Sequence, residues 1–552
     1  MTTTEQPAGT DAGAPAGGSR FFVRQATGLV REASWVDAAI YNLIWSSVPL
    51  AVAFVVSFGP AFYLGGSLYL ATILAFLLTV PTAFLYAMLS SAVPRSGGDY
   101  TWVSRAIHPA LGFMSNLSFS FWATFFIGVY AVFLGTYGIS PTLRVVAAYT
   151  GSPDLTAVAD SLTTPTGTFI VGLVIVVASA LLLSMGRGLR AFMRLQRWAF
   201  VLWALGSLAL PLIIFLVTSP STFAVNFDQY VRNLGGAGGA HAGILAAAGY
   251  QPTPIDLGAT ILTITLPYYT LGFIFQSAYF GGEIKRGQRT ALLSIPGAQL
   301  IAVSAILLLT WAALSTVGED FLAATGLAGF GLLDLTPFGL AFSPLFTELA
   351  AIASGNLVIG FLITFGMLLL FVVFVPQTMV LISRNLFAWS FDRLLPDAIA
   401  EVNPRTHAPV NAVLVIAAVG LVSVAIIAFN PDLTFIVGLL GLTWTYVVVA
   451  VAGILFPYRQ REAFEASPYN GRLGGIPTMS IVGALSLIGM TAVAAILLLD
   501  LNSGTSWEFN SDRVVLGLAV FAAGLPIYYV IRAIQRGRGV DIDLAYRQIP
   551  PE

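Results

Sequence analysis

Two short stretches hold the residues best suited to bind a ligand. One is Trp45-Ser46-Ser47-Val48-Pro49; the other is Pro267-Tyr268-Tyr269-Thr270-Leu271-Gly272, followed by Phe273 and Gln276. Each joins a helix breaker to hydroxyls. Pro49 has no N–H, and its ring clashes with the carbonyl of Trp45. Ser46 or Ser47 is placed to cap a half-helix that starts at Pro49, whose positive end would attract an anion. Pro267 and Gly272 bracket a stretch that can unwind. Freed carbonyls and hydroxyls are reversible-binding chemistry. Catalysis would need a nucleophile, an acid–base pair or a metal. The chain has no cysteine, and His108, His241 and His407 are too scattered to hold a metal. The expectation is a protein that is not an enzyme, with no catalytic residue, metal or cofactor.

The elements that position these stretches are set by composition. Of 552 residues, 57% are apolar and 9% charged, with mean hydropathy +0.86. Soluble domains carry about 25% charged residues, so a water-soluble globule is excluded. The 25 basic and 26 acidic residues nearly cancel, which argues against a nucleic-acid partner. Spanning a bilayer takes about 20 apolar residues. Twelve such segments are read: 36–59, 67–92, 110–136, 166–185, 196–218, 258–281, 292–316, 352–383, 410–429, 433–457, 477–499 and 514–534. With both termini in the cytoplasm, all basic residues but Arg144, Arg232 and Arg513 fall inside, as the positive-inside rule requires. The expected location is the cell (inner) membrane, multi-pass, with the lipid bilayer as surroundings and no obligatory protein partner. Outer loops 219–257 and 317–351 have room for short helices, and 384–409 reads as an interfacial stretch.

Both breaks lie about ten residues into their segments, a rise of about 15 Å and half the hydrocarbon core. They open two five-helix halves, 35–257 and 258–457. Matching interruptions in two halves point to an inverted-repeat transporter with a midplane site. Residues 458–534 then supply two peripheral helices. Residues 1–34 read as a disordered cytoplasmic tail and 535–552 as a second cytoplasmic tail.

Three motifs carry a resemblance. Val93-Pro94-Arg95-Ser96-Gly97-Gly98-Asp99-Tyr100 is similar to a PRSGGxY segment, followed by Pro109-Ala110-Leu111-Gly112-Phe113. Gly282-Glu283-Ile284-Lys285 with Arg289 is similar to EEVKNPxR. Ser383-Arg384-Asn385-Leu386-Phe387-Ala388, Arg393-Leu394-Leu395-Pro396 and Pro409-Val410-Asn411-Ala412 resemble SRxLFAxxRDGxLP…TPxxA. Over roughly 30–540 the chain resembles amino acid permeases of the amino acid–polyamine–organocation (APC) superfamily. The resemblance implies an all-α polytopic membrane protein with twelve transmembrane helices. Its core would be a five-plus-five inverted repeat (LeuT-like) with discontinuous helices 1 and 6 and two peripheral helices. It implies secondary transport or exchange of amino acids or related amines. It also implies substrate contacts at Ser46, Ser47, Val48 and Pro49 and at Tyr268, Tyr269, Thr270, Gly272 and Phe273, with Trp45 at the break. Two departures stand out. Val48-Pro49-Leu50 replaces the family's glycine-rich break, and Val201-Leu202-Trp203-Ala204 stands where some proton-coupled relatives carry a lysine. The only lysine, Lys285, is cytoplasmic.

No ionisable residue lies deep within the twelve segments, and Asp37 reads as an interfacial cap. A polyamine would need a buried carboxylate partner, so a small neutral or zwitterionic amino acid is the leading substrate. Na⁺ coupling through carbonyls and hydroxyls at the breaks stays open. Gln276 and Asn42 are candidates to face the bundle, with helix-to-helix bonding the alternative. Trp122 and Trp444 are candidates to gate the site or hold an ammonium, with plain packing the alternative. Arg95 and Arg105 are read as pairing with Asp99 or Glu283, so that Arg95 and Glu283 close a cytoplasmic gate. The rival functions are transport of an amine or uncharged solute, and a non-transporting sensor. A channel would need charged rings or filter loops, which are absent.

Overall fold

In a computed structural model, residues 31, 33–185, 189–403, 409–430, 435–502 and 511–547 are described. The chain opens with α1 (Trp35–Trp45), α2 (Val48–Phe62), α3 (Leu68–Ala92), α4 (Asp99–Ala106), α5 (Pro109–Phe133), α6 (Ser140–Thr150), α7 (Pro153–Ser161) and α8 (Pro165–Ser184). It continues with α9 (Leu189–Ala204), α10 (Leu210–Val217), α11 (Pro220–Asn233), α12 (Ala240–Ala248), α13 (Leu257–Thr263), α14 (Thr265–Leu271), α15 (Gly287–Ser294) and α16 (Pro296–Val317). It ends with α17 (Glu319–Gly329), α18 (Phe346–Ser354), α19 (Leu357–Phe391), α20 (Val410–Phe429), α21 (Phe435–Arg459), α22 (Arg461–Ala466), α23 (Thr478–Asn502) and α24 (Ser511–Gly537).

Among the described residues, eleven helices are long and apolar enough to cross a membrane, against twelve segments read from sequence. The remaining segment, 258–281, is the shorter apolar helix Leu257–Leu271 followed by irregular backbone. The third segment is longer than read. α5 passes through a π-helical turn at Leu134–Ile139 into α6. The eighth is α19, which runs on through Arg384 to Phe391. The first part of 384–409, up to Phe391, therefore extends α19, and 404–408 lies outside the described residues. The long loops 219–257 and 317–351 do carry helices, α11, α12, α17 and α18.

Burial ranks the helices. Within an 18-residue apolar stretch of Trp35–Phe62, 94% of residues are buried, against 17% in a like stretch of Val515–Gly537. The first is wrapped by other helices; the second faces outward along most of its length. Ile170, Val174, Val177 and Leu181 of α8 are exposed in the same way, the expected face toward lipid tails. Helices come closest where side chains vanish. A Cβ added at Gly366 of α19 would lie 2.8 Å from the Cα of Gly206, in the π-helical turn between α9 and α10. Small residues permit this kind of backbone approach.

The start of α1 is fixed twice. Ser34 and Asp37 form a reciprocal cap, with Asp37 N–H donating to Ser34 Oγ at 3.2 Å and Ser34 N–H to Asp37 Oδ2 at 2.8 Å. Arg197 of α9 reaches the same carboxylate, Nη2 to Oδ2 at 2.7 Å. The expected N-terminal tail falls almost wholly outside the described residues. Ala33 pairs with the segment after α14, its N–H on Glu283 O and its carbonyl taken by Lys285 N–H. At the other end, Ile542–Arg547 forms a 3₁₀ turn. Ile542 and Tyr546 are buried there with Tyr100, Phe113, Trp389 and Tyr528. That part of the expected tail is packed structure.

Candidate functional site

The first break comes from Pro49 and a strained serine. α1 ends at Trp45 and α2 begins at Val48, and Ser47 between them sits at φ 53°, ψ 46°. That left-handed conformation costs a non-glycine residue about 1–2 kcal/mol. Neither serine caps α2. Ser46 Oγ donates back to Leu43 O at 2.9 Å, and Ser47 Oγ lies 3.3 Å from Ile44 O and 3.4 Å from Trp45 O. The expected capping role is thus replaced by satisfaction of carbonyls at the end of α1, of which Trp45 O is the one that Pro49 leaves without its N–H. The first turn of α2 has no side-chain cap. Val48 and Pro49 are buried within that turn.

The second break starts at Gly272. α14 stops at Leu271, Phe273–Phe275 is irregular, and Gln276–Tyr279 forms a 3₁₀ turn. Gln299 of α16 donates to the freed Leu271 carbonyl at 2.9 Å. The two breaks are stitched together, since Thr270 Oγ1 donates to Ser46 O at 2.7 Å. Asn42 is a second stitch. Its Oδ1 accepts from Ser277 N–H at 2.8 Å and its Nδ2 donates to Ser294 O at 2.9 Å. It holds helices to each other, the alternative named for it above.

Between the breaks lies a small cavity of about 10 Å³ lined by Trp45, Phe126, Tyr130, Tyr269, Phe273, Phe374, Leu439 and Leu442. That is room for about one water-sized sphere. No charged side chain lines it. Its polar floor is a chain of hydroxyls. Tyr130 donates to Ser47 Oγ at 2.6 Å and also meets the Tyr269 hydroxyl. A phenol has one proton to give. With Tyr130's proton on Ser47, Tyr269 donates to Tyr130, and Ser47 donates to the α1 carbonyls. The Tyr130 ring stacks on Phe374 of α19 at 3.5 Å and 9°, and Trp45 meets Phe374 at 5.0 Å.

Of the residues singled out by sequence, Trp45, Tyr269 and Phe273 line this cavity, Ser47 is bonded to it through Tyr130, and Ser46 and Thr270 join the breaks beneath it. Tyr268 turns to Thr443, hydroxyl to hydroxyl at 2.6 Å. Gly272 makes room for that ring, because a Cβ there would lie 2.3 Å from Tyr268 Cε2. Gln276 is buried, 3.3 Å from the Tyr446 hydroxyl. Trp122 is pressed onto Gly441, where a Cβ would sit 2.1 Å from its Nε1. It packs α5 on α21 and does not line the cavity. Trp444 is half-buried and also outside the lining. Sequence reasoning missed Phe126, Tyr130, Phe374, Leu439 and Leu442. Phe126 and Tyr130 follow Trp122 at helical spacing on α5, a signal that was available.

A family model for amino acid permeases matches residues 37–520. The chain belongs to the amino acid permease family. It is therefore a multi-pass membrane protein of a transporter family whose members move amino acids or related solutes.

On the side of the permease that carries its motif loops, the ion pairs differ from those expected. Arg384 Nε and Nη2 reach Glu283 Oε1 and Oε2 at 2.7 and 2.8 Å, with both side chains buried. Arg105 forks onto Asp392 at 2.7 and 2.8 Å, and Tyr100 adds a bond to the same carboxylate at 2.6 Å. Glu283 is taken by Arg384 and Arg105 by Asp392, where the sequence reading has Arg95 and Arg105 meet Asp99 or Glu283. Arg95 is half-buried in the loop after α3. Asp99 bonds to Tyr279 and Asn116. The pairs follow the fold: Arg384 lies on α19, which runs beside the segment after α14, whereas sequence proximity had favoured the nearer motif.

Proposed function

We propose that this permease is a secondary transporter or exchanger of small neutral or zwitterionic amino acids. It works by alternating access around the cavity at the two breaks, between two inverted five-helix halves and with twelve membrane crossings. The observation that carries this reading is the Tyr269–Tyr130–Ser47 hydroxyl chain. It lines an uncharged aromatic cavity and ties it to the first break through Ser47. The positive end of the α2 dipole suits a carboxylate, with Val48 N–H as the donor there, since Pro49 has no N–H and Leu50 and Ala51 N–H donate to Ser47 O. Carbonyls near the breaks suit an ammonium, and the aromatic walls suit an apolar side chain. A full negative charge is absent from the lining, which disfavours multiply charged amines.

A second reading, an amine or uncharged solute, is favoured by one feature. Ser46-Ser47-Val48-Pro49 lacks the glycines that let a backbone close on a carboxylate. Uptake of a panel of labelled neutral amino acids and monoamines into vesicles containing the purified chain separates the readings. Ser47→Ala and Tyr269→Phe, which remove hydroxyls of the chain without adding bulk, should abolish uptake while the protein stays folded. Normal uptake by both variants would falsify the site.

A further inference from the structure

The buried carboxylates of the motif loops are not alike. Glu283 has Arg384, Asp392 has Arg105, and Asp37 has Arg197. Asp99 is fully buried and its hydrogen-bond partners are neutral. Asn116 Nδ2 of α5 donates to Oδ1 at 2.6 Å, and the Tyr279 hydroxyl donates to Oδ2 at 2.8 Å. The ionisable groups around it are phenols: Tyr279 from the 3₁₀ turn, Tyr86 from α3 and Tyr446 from α21. The nearest arginine in sequence on its own helix, Arg105, is spent on Asp392. A buried charge without a counter-charge is costly and tends to neutralise by taking a proton. Burial accordingly pushes the Asp99 carboxyl up to about 7, against its hydrogen bonds from Tyr279, Asn116 and the Tyr100 backbone.

One unused group flanks it. Asn116 Oδ1 is buried without a hydrogen-bond partner, and the Tyr86 hydroxyl lies beside Tyr279. A half-turn of the Asn116 amide would bring Oδ1 to accept from a protonated Asp99. The carboxylate is also tied to the moving part of the proposed cycle. Gly97 N–H donates to Tyr279 O at 3.0 Å, and Ser96 and Phe280 form an antiparallel bridge. Gly97 and Gly98 are at φ +91° and +46°, and a Cβ on Gly98 would come within 3.0 Å of the Tyr279 ring. The loop thus grips the 276–283 segment, which also carries Glu283.

We propose that Asp99 is a proton-binding site of this permease, and that its occupancy sets how firmly α4 and α5 hold the 276–283 segment. Ionised, the carboxylate accepts from both Tyr279 and Asn116. Protonated, one oxygen becomes a donor and turns to Asn116 Oδ1, which weakens the hold on Tyr279. As a route of coupling it rests on the transport reading; as a proton site it does not.

The first test uses the proton alone as probe. Infrared titration of the full chain in lipid nanodiscs should show a carboxylic-acid carbonyl band that fades around pH 7. Glu348 is raised to about 7 as well and adds to the same band, so the titration is run on Glu348→Gln, where a band should remain, and adding Asp99→Asn should remove it. Tyr279→Phe, which removes a donor to the ionised form, should move the midpoint to higher pH. A band unchanged by Asp99→Asn, or a midpoint unmoved by Tyr279→Phe, overturns the site. The second test is alanine uptake into vesicles under an imposed pH gradient, acid outside. Wild-type uptake should rise severalfold and Asp99→Asn should not respond. A gradient response retained by Asp99→Asn overturns the coupling. A titrating band with no amino acid flux supports the proton site and overturns the transport reading instead.

Discussion

Arg384 and Glu283 form a two-point ion pair, Nε to Oε1 at 2.7 Å and Nη2 to Oε2 at 2.8 Å, with both side chains at most 4% exposed. The pair joins the end of the longest helix, α19, to the irregular chain after α14. Both carboxylate oxygens are used, and the fork geometry is one that lysine cannot copy. Removing one partner leaves an uncompensated buried charge, which costs about 3–5 kcal/mol. Arg384→Met should therefore lower the unfolding temperature strongly, and Arg384→Met with Glu283→Leu should recover much of the loss. Thermal unfolding of the four proteins in detergent measures it; equal losses in the single and double variants would refute the pairing energy.

Tyr130 is the central hydroxyl of the cavity. Tyr130→Phe keeps the ring on Phe374 and deletes the bonds to Ser47 and Tyr269. A buried polar group left unsatisfied costs about 1–3 kcal/mol. The expected result is a modest loss of stability with a large loss of uptake. If uptake and affinity are both unaltered, the hydroxyl chain has no part in the site.

Glu348 of α18 gives a pH signature. Burial pushes its carboxyl from the ordinary 4.5 up to about 7, opposed by Arg144 and by the hydrogen bond from Tyr230. Between about 4.5 and about 7 the folded protein holds a proton that the unfolded chain has released. Stability therefore falls as pH rises through that window and levels off above it. Asp99 acts with the same sign. Glu348→Gln should flatten part of the slope, Asp99→Asn another part, and the double variant more than either. Unfolding temperatures measured across that pH window report it; identical slopes in all four proteins would contradict the assignment.

The chain end contributes to stability. Ile542 and Tyr546 are buried against Tyr100 and Phe113, the Tyr546 hydroxyl lies 3.1 Å from that of Tyr100, and the Arg105 guanidinium lies 5.0 Å from the Tyr546 ring. Burying side chains of this size stabilises by about 1.5–3 kcal/mol each. Truncation after Val540 should lower the unfolding temperature and make the Asp392 pair more accessible to solvent, read by hydrogen exchange in α4. An unaltered unfolding temperature and exchange pattern would show the end to be dispensable.

Much of this was legible in the chain, and its limits have a physical cause. Scarce charge excluded a soluble protein because a bilayer tolerates few ions. Pro49 marked the first break because its effect is covalent and acts within one turn, whereas of the stretch bracketed by Pro267 and Gly272 all but Gly272 is helical and the break lies beyond it. The motif loops pointed to the permease family that the match to residues 37–520 establishes. Partners were not legible in the same way. Arg105 meets Asp392 across 287 residues of chain, and Tyr41 donates to the Gln377 carbonyl across 336. No local pattern encodes such distances. The cavity walls contributed by Phe374, Leu439 and Leu442 were hidden among dozens of similar apolar residues for the same reason. Sequence alone determined the first break, at Pro49, and how little charge the interior can hold. Only the tertiary structure decided which charges pair, and that Asp99 is buried among neutral donors, because pairing depends on how helices pack and not on their order along the chain.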